Sequence, residues 1–503
     1  MSIETELKLA ILPENVEKLI QHPLLHKAAH SKPAQRLYST YFDTPNHALL
    51  QQGIGCRIRR VGKKRIQTLK TAGFGLGGLH QRQEWETNVE SDVPNLEVIP
   101  EGVLPNRIIS RFHQIEPLFI TDFQRTIWYV TEGENQVEVA LDQGHIKTQT
   151  SSTDLSEVEL ELKSGDPHIL YQIALELQKT IPLTIENHSK AARGYALHTP
   201  YSPVYHKAPP VELIASMTVE ASLSTILWHC IGHLNANEDM VLHGDDIEGV
   251  HQMRVALRRL RSCLSLYKEV LPEMRNSELW QELKWISAVL GIARDWDVFN
   301  LSLQEMQTQT FGQAVLEDLQ VIVMNARISA YHLTREAIRS PRYSRLLLLL
   351  GEWITGRGWR QNLDNSIITQ LEQPVIGFAN RILQTQYAYV CKRGKQLHQL
   401  DATKLHEFRI AIKKIGYGSR FFSDLYPAKD VKRYVKKLVQ LQDELGILND
   451  ASVATRLLNE AKIDDNAATR HFLNGWYAHQ HIVHLKILVE AWQNLLEQKV
   501  FWK

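Results

Sequence analysis

The chain has 503 residues, 44% hydrophobic and 22% charged, an ordinary globular composition on a length that exceeds one hydrophobic core and predicts two or three domains. Its 57 Lys and Arg against 56 Asp and Glu leave a net charge of +1, which excludes whole-chain attraction to nucleic acid but not separate charged regions. Cys56, Cys230, Cys263 and Cys391 lie far apart and in no metal-ligand spacing, as in a reducing compartment. Acidic Glu4 and Glu6 stand where a signal peptide needs basic and apolar residues, and the apolar run 346–350 is too short for a bilayer; the expected location is the cytoplasm.

Residues 1–197 read mostly as strand. The opening Glu4-Thr-Glu6-Leu-Lys8 carries charge at every second position, which puts Glu4, Glu6 and Lys8 on one strand face and Ile3, Leu7 and Leu9 on the other. Residues 13–22 follow as helix. Short alternating segments at 55–60, 65–71, 82–89, 123–130, 136–141 and 156–163 are separated by Gly, Pro, Asp or Asn. Arg57-Ile-Arg59 and Glu157-Val-Glu159-Leu-Glu161-Leu-Lys163 repeat the charged alternation of the opening strand. The Gly-rich stretch 73–78 lacks the Lys-Ser/Thr ending of a phosphate loop and reads as a hairpin connection. Pro167 after Asp166 starts a helix over 167–179.

Further charged candidates in this half are Lys70, Arg82, Glu84, Glu86, Arg125, Glu138, Asp142, Lys190 and Arg193. So many charges are costly to bury unless they are paired or bind ligands, and cheap on a solvated sheet face. A sheet curled into a barrel would turn them inward and set Leu7, Leu9, Val158, Leu160 and Leu162 outward against helices, around a hydrated, ligand-filled lumen. Carboxylate oxygens suit Mg²⁺ or Mn²⁺, and Arg and Lys neutralise phosphate. Phosphoryl transfer asks for that positioning and charge stabilisation, and with no Ser-His-Asp or Cys-His set in the sequence, water is the expected attacker.

Residues 198–211 carry Pro200, Pro203, Pro209 and Pro210 and read as a linker. Beyond it the period becomes helical, with turns at Pro272, Pro341, 356–358 and Pro427. An internal repeat runs through this half at an offset of 155 residues. It carries His251-x-x-Arg254-x-x-x-Arg258-Arg259 onto His406-x-x-Arg409-x-x-x-Lys413-Lys414, Pro272 onto Pro427, Leu290-Gly291 onto Leu445-Gly446 and Asp295 onto Asp450. The repeat units are expected at about 215–360 and 370–500. His251, Arg254, Arg258 and Arg261 make one helical stripe, matched by His406, Arg409 and Lys413, and Lys432, Arg433 and Lys436 belong to a dense basic stretch nearby. Such like-charge spacing suits a helix face crossed by a polyanion. A solvated face is the plainer alternative. Helix-turn-helix, zinc-finger and aromatic RNA-binding signatures are missing.

Glu4-x-Glu6-x-Lys8, Arg57-x-Arg59, Lys70, Arg82-x-Glu84, Arg125, Glu159-x-Glu161 and Ser189-Lys190-x-x-Arg193-Gly194 together resemble the CYTH superfamily, the triphosphate tunnel metalloenzymes, over residues 1–197. The resemblance implies an α+β domain with a closed eight-stranded antiparallel β tunnel that takes triphosphate end-on. By similarity Glu4, Glu6, Glu159 and Glu161 hold divalent metal. Lys8, Arg57, Arg59, Lys70, Arg82, Arg125, Lys190 and Arg193 contact phosphate, and Glu84, Glu138 and Asp142 support them. Glu157 shares the face outside the closest match and can cap the rim. The helical half, 212–503, resembles the CHAD domain, which implies an all-α bundle with internal duplication that binds polyphosphate. The second copy departs from the first, with Lys413-Lys414 for Arg258-Arg259 and Asn449-Asp450 for Arg294-Asp295. The activity implied is metal-dependent cleavage of tripolyphosphate to pyrophosphate and phosphate by an enzyme that polyphosphate binding can bring to polyphosphate granules. The alternatives are thiamine triphosphatase, adenylate cyclase or a non-enzymatic polyphosphate binder.

Overall fold

Alternation of charged and apolar side chains closes the N-terminal half into a barrel. The computed structural model describes all residues except 1, 29, 72, 200–201, 310–312, 362 and 464–467, so Pro200 of the expected linker lies outside the described residues. Strands β1 (Ser2–Ala10), β2 (His30–Asp43), β3 (Gly55–Val61), β4 (Lys64–Lys70), β5 (Phe74–Leu76), β6 (Leu79–Val89), β7 (Glu116–Glu132), β8 (Asn135–Lys147), β9 (Ser152–Ser164) and β10 (Thr184–Ile185) form one sheet. Their order is β10-β1-β9-β8-β7-β2-β3-β4-β6-β5, and pairing of β1 with β6 closes the eight strands between β10 and β5 into an antiparallel barrel. The Gly-rich stretch makes the hairpin between β5 and β6, with Gly77 and Gly78 at positive φ in its turn.

Helices α1 (Val16–Ile20), α2 (Pro23–His26), α3 (Asn106–Ile109), α4 (His168–Gln178) and α5 (Lys190–His198) belong to this half. The outward residues Leu7, Leu9, Val158 and Leu160 are fully buried, and α4 packs against β1, β8 and β9. Ile3 departs from the expected outer core: cover ends before it, and it is 69% exposed. Helix α5 seats Tyr195 among Leu37, Tyr41, Phe119, Phe123 and Leu155 at one end of the barrel. A Cβ on Gly194 would stand 2.1 Å from the Phe119 ring, so glycine sets how closely α5 approaches.

The C-terminal half is α6 (Val219–Asn235), α7 (Glu238–His243), α8 (Glu248–Leu266), α9 (Glu278–Gln309), α10 (Gln313–Arg339), α11 (Pro341–Thr355), α12 (Asn365–Glu372), α13 (Val375–Arg393), α14 (Ala402–Phe421), α15 (Ala428–Glu460) and α16 (Ala468–Leu496). Two compact units result: Met1–Pro203 with Arg339–Gly358, and Val204–Ile338 with Trp359–Lys503. Helix α11 therefore belongs with the barrel. Its Leu346, Leu347, Leu348 and Leu350 are buried, it packs on α4 and β10, and a Cβ on Gly351 would lie 2.1 Å from the Tyr171 ring. Polar ties complete the seat: His168 Nε2 to Glu352 Oε1 at 2.8 Å, and Gln178 Nε2 to the Pro341 carbonyl at 3.0 Å.

In the helical unit the 155-residue offset is visible as paired helices. It carries α6 onto 374–390, α8 onto 403–421, α9 onto 433–464 and α10 onto 468–494, which fall on α13, α14, α15 and α16. The first helices of the two copies begin at a reciprocal bridge, Val219 N to Gln373 O at 2.9 Å and Val375 N to Met217 O at 2.8 Å. The described part of the Pro-rich segment is irregular but anchored. Val211 and Leu213 are buried, the His206 carbonyl accepts from Asn237 Nδ2 at 3.0 Å, and the Pro209 carbonyl faces Arg259 Nη2 at 3.5 Å.

Candidate functional site

Residues opposed across antiparallel strands point to the same face, so the barrel register decides which charges meet. Glu6 stands opposite Glu161 on one side and His80 on the other, Lys8 opposite Glu159, and Glu4 opposite Arg82. Asp142 opposes both Glu157 and Arg125, Tyr41 opposes Arg57, Ser39 opposes Arg59, and Lys70 opposes Glu84. Strand alternation puts these residues on the inward face of the barrel, which encloses a cavity of about 410 Å³. Glu4, Glu6, Lys8, Arg57, Arg59, Lys70, Arg82, Glu84, Arg125, Glu138, Glu159, Glu161 and Lys190 all line it.

Opposite charges are interleaved. Lys70 Nζ lies 2.6 Å from Glu4 and 3.3 Å from Glu84; Lys8 lies 3.0 Å from Glu6 and 3.2 Å from Glu159; Arg82 lies 3.1 Å from Glu6. Arg57 is 3.6 Å from Glu84, and Lys163 is 2.7 Å from Glu161 and 3.5 Å from Glu138. Lys190 Nζ sits among Asp142 at 2.7 Å, Glu159 at 2.9 Å and Glu157, and above the Phe123 ring. Arg125 forks onto Asp142 at 2.7 and 2.6 Å and also reaches Glu159.

Protonation follows from burial and these neighbours. Burial works against the Glu6 charge, yet Lys8, Lys70 and Arg82 outweigh it and hold the carboxyl at about 2. Glu159 is likewise lowered despite its burial, by Lys190, Lys8 and Arg125. For Glu157 and Glu161 burial prevails and raises the pKa. Arg59 is pushed down to about 10 by burial and by Arg57 and Arg125, so additional negative charge in the lumen would be favourable there.

Exposure grades along the lumen. On β9 the side chains go from 0% at Glu157 through 11% at Glu159 and 27% at Glu161 to 32% at Lys163. Six residues of strand span about 20 Å, so the gradient marks a closed floor and an open mouth. Glu157 thus lies at the floor and not at the rim; its strand enters the barrel beneath α5. Asp142 is buried beside it, and Arg193 approaches from α5, 3.2 Å from Glu157 and 2.7 Å from the Asp154 carbonyl.

Asp142, Glu157 and Glu159 present oxygens within 4.8 Å of one another, a carboxylate cluster able to chelate a divalent cation. The Lys190 ammonium already lies among them. Toward the mouth, Glu4 and Glu6 on β1 and Glu159 and Glu161 on β9 offer a second all-oxygen set across one strand pair. Hard oxygen donors of this kind fit Mg²⁺ or Mn²⁺.

Inward-facing residues without a sequence signal include Tyr41, which lines the cavity, and Ser39 and His80. Tyr41 OH accepts from Arg57 at 3.4 Å and Ser39 Oγ accepts from Arg59 at 3.1 Å. Both lie on β2, whose sequence lacks the charged alternation of its neighbours. Lys163, which ends the stripe of Glu157, Glu159 and Glu161 read from the sequence but was given no role there, also lines the cavity.

In the helical unit, α8 packs on α9 and α14, and α14 on α15. There Arg254, Arg258, Arg294, Arg409 and Lys413 act on one another, with Asp295 and Asp450 as the nearby acids. Burial together with Arg294, Arg258, Arg254 and Lys413 pushes His251 down to about 3, so it is neutral at pH 7. Burial with Arg409, Arg258 and Arg254 brings Lys413 down to about 7, and burial raises Asp450 to about 6. His251 Nδ1, Arg254 Nε, Arg294 Nη1 and Arg409 Nε are buried without a hydrogen-bond partner in the protein, whereas Arg258 Nε donates to Tyr417 OH at 3.2 Å. Arg294, absent from the stripe read from sequence, is part of this cluster. Arg261 instead stacks over Trp280 at 5.3 Å, and exposed His406 meets Asn449 at 3.4 Å. Lys432, Arg433 and Lys436 are exposed near the start of α15; Lys436 lies fourteen residues, about 21 Å of helix, from Asp450.

A closed barrel with an acid- and base-lined lumen, joined to a duplicated basic bundle, defines a two-part protein built around polyanion-compatible surfaces. Family models for the CYTH domain and the CHAD domain match residues 2–195 and 225–459. The chain belongs to the proteins that join a CYTH domain to a CHAD domain. Its N-terminal part is 36% identical over 195 residues to a Haemophilus influenzae protein named inorganic triphosphatase, covering 39% of this chain and 54% of that protein, about half its length. An uncharacterized Mycobacterium tuberculosis protein is 24% identical over 378 residues, covering 71% of this chain and 70% of that one. The CHAD domain of the plant Ricinus communis superposes with a TM-score of 0.52 at 31% identity, covering 60% of this chain and 99% of that structure. Among the described residues no helix is long and apolar enough to cross a membrane.

Proposed function

We propose that the barrel hydrolyses inorganic triphosphate to pyrophosphate and phosphate with Mg²⁺ or Mn²⁺, and that the helical unit binds polyphosphate. The observation that carries the first part is the dense, blind-ended set of cations and carboxylates facing one lumen. The name of the Haemophilus influenzae relative agrees with it. Glu4, Glu6, Glu159 and Glu161 would hold the metal, which supplies charge neutralisation at phosphate oxygens and acidity to bound water. Lys8, Arg57, Arg59, Lys70, Arg82, Arg125 and Lys190 orient the phosphate chain and stabilise charge as the P–O–P bridge breaks, while Arg193 holds Glu157 at the floor. Glu84 and Glu138 hold Lys70 and Lys163 in place, and Asp142 holds Arg125. Their ion pairs exchange partners when phosphate enters.

For the helical unit, the clustered cations with orphaned buried nitrogens on α8, α9 and α14 support a polyanion seat of phosphate character. His251, Arg254, Arg258, Arg409 and Lys413 belong to that seat. Lys432, Arg433 and Lys436, with Arg261 and His406, extend the attraction over a wider surface. We place the protein in the cytoplasm, where this seat can draw it to polyphosphate granules. The test is phosphate release from tripolyphosphate, ATP, thiamine triphosphate and long-chain polyphosphate, with Mg²⁺, Mn²⁺ and EDTA in parallel. Metal-dependent turnover centred on tripolyphosphate is expected; silence on tripolyphosphate would overturn the reading.

A further inference from the structure

Two acids stand beside the cations of the helical unit, Asp295 on α9 and Asp450 on α15, and each can occupy a guanidinium that a polyanion would need. Arg254 crosses from α8 onto α9 over Gly291. A Cβ there would stand 2.6 Å from Arg254 Nη1, and that nitrogen donates to the Ser287 carbonyl at 3.4 Å. Asp295 follows one helical turn later on the same face. Its Oδ1 nevertheless stays 4.0 Å from Arg254 Nη2, outside hydrogen-bonding distance. Arg254 Nε is buried without a hydrogen-bond partner among the described residues.

The second carboxylate oxygen is turned to another cation. Asp295 Oδ2 accepts from Arg456 Nη2 at 2.5 Å, across the packed helices α9 and α15. Glu460, one turn further along α15, accepts from Arg456 Nη1 at 2.7 Å and fixes the guanidinium between the two acids. The 155-residue repeat does not supply this partner twice. It carries Asp295 onto Asp450, but Leu301, 45% exposed, onto Arg456. Asp450 instead faces Arg409 and Lys413 of the seat.

We propose that Arg456 is a positioning residue for polyanion binding: it holds Asp295 away from Arg254 and so keeps that guanidinium open to phosphate. The role rests on the polyphosphate reading of the helical unit and adds a residue outside the basic stripe. Without Arg456, a shift of about 1 Å brings the Asp295 carboxylate into charge-assisted hydrogen bonding with Arg254. Asp295 also acts on Arg409, so a second cation of the seat feels the release. An entering phosphate must then break that pairing. The two copies differ in consequence: the first offers its cations to the ligand, and the second shares its own with Asp450. An interhelical ion pair of purely structural use would change thermal stability and leave affinity alone.

The test is binding of long-chain polyphosphate to the full-length protein at constant ionic strength, in EDTA so that the barrel does not consume the probe. Arg456→Gln should weaken binding by about three- to fivefold, the scale of one partly exposed ion pair. Arg456→Lys, which keeps a charge beside Asp295, should bind like wild type. In an Asp295→Asn background the same Arg456→Gln change should cost less than about twofold, since the acid it restrains is gone. Arg456→Met takes its place in the cycle if the glutamine variant does not fold. Equal losses in both backgrounds would show Arg456 acting on the ligand directly, and no loss in either would show the pair to be structural; both results overturn the positioning role. Absence of wild-type polyphosphate binding would instead overturn the polyphosphate reading of the helical unit, and the positioning role with it.

Discussion

Lys413 offers a titration inside the physiological range. It lies on α14 among Arg409, Arg258 and Arg254, and burial with these cations brings its pKa from 10.5 down to about 7. A polyanion seated on the cluster stabilises the charged ammonium, so binding takes up a proton at higher pH. If the complex requires charged Lys413, the free protein is about half competent at pH 7 and about 3% competent at pH 8.5. Affinity for long-chain polyphosphate should then fall by up to about fifteenfold across that window, about 1.6 kcal/mol. The window is chosen with its neighbours in view: Asp450, near 6, is already mostly ionised, and His251, near 3, is neutral throughout. Folding linkage has the opposite sign. A lysine depressed in the native state binds fewer protons than in the unfolded chain between pH 7 and 10.5, so its cost to stability is full below pH 7 and disappears as pH rises. The assay is calorimetric titration of the full-length protein at constant ionic strength, at pH 7 and 8.5, for wild type, Lys413→Arg and Lys413→Met. Lys413→Arg should bind with little pH dependence, and Lys413→Met weakly at both values. A wild-type slope retained by Lys413→Arg would refute the assignment.

Replacing Lys190 by Met leaves Asp142, Glu157 and Glu159 partly uncompensated, and should cost the barrel unit about 3–5 kcal/mol at pH 8. The loss should shrink at pH 5: carboxylates raised above their unfolded pKa bind protons preferentially in the native state, so the variant gains stability as pH falls. Scanning calorimetry of the transition that tripolyphosphate shifts in wild type measures it, and an equal loss at both pH values would count against the buried-charge account. Gly351→Ala drives a Cβ to 2.1 Å from Tyr171, and overpacking of about 1–3 kcal/mol should exceed the helix-propensity gain of about 1 kcal/mol, seen as a lower Tm of the same transition. Glu4→Gln with Glu6→Gln, and EDTA on wild type, should each reduce tripolyphosphate turnover by about a hundredfold or more with circular dichroism unchanged. Residual metal-stimulated turnover in the double variant would move the metal to another carboxylate set.

Local pattern determined a good deal of this protein. A charge at every second residue requires a strand with one charged face, and Glu4-x-Glu6-x-Lys8, Arg57-x-Arg59 and Glu157 to Lys163 disclosed most of the lumen before any contact was known. The 155-residue repeat likewise announced α6, α8, α9 and α10 a second time, because a duplicated sequence keeps its helical periods. What alternation leaves open is which strands meet and at what depth. The β1–β6 pairing alone closes the barrel, places His80 opposite Glu6, and with β9 and α5 carries Glu157 to the floor instead of the rim. Depth also separates buried Arg254, Arg294 and Lys413 from exposed Lys432, Arg433 and Lys436, although all are basic residues on helices. The leucines of α11 give the clearest case. Their apolar character required burial, and nothing in their order named the partner; only the folded chain set them on α4 beside the barrel, since burial is a demand any complementary surface can meet.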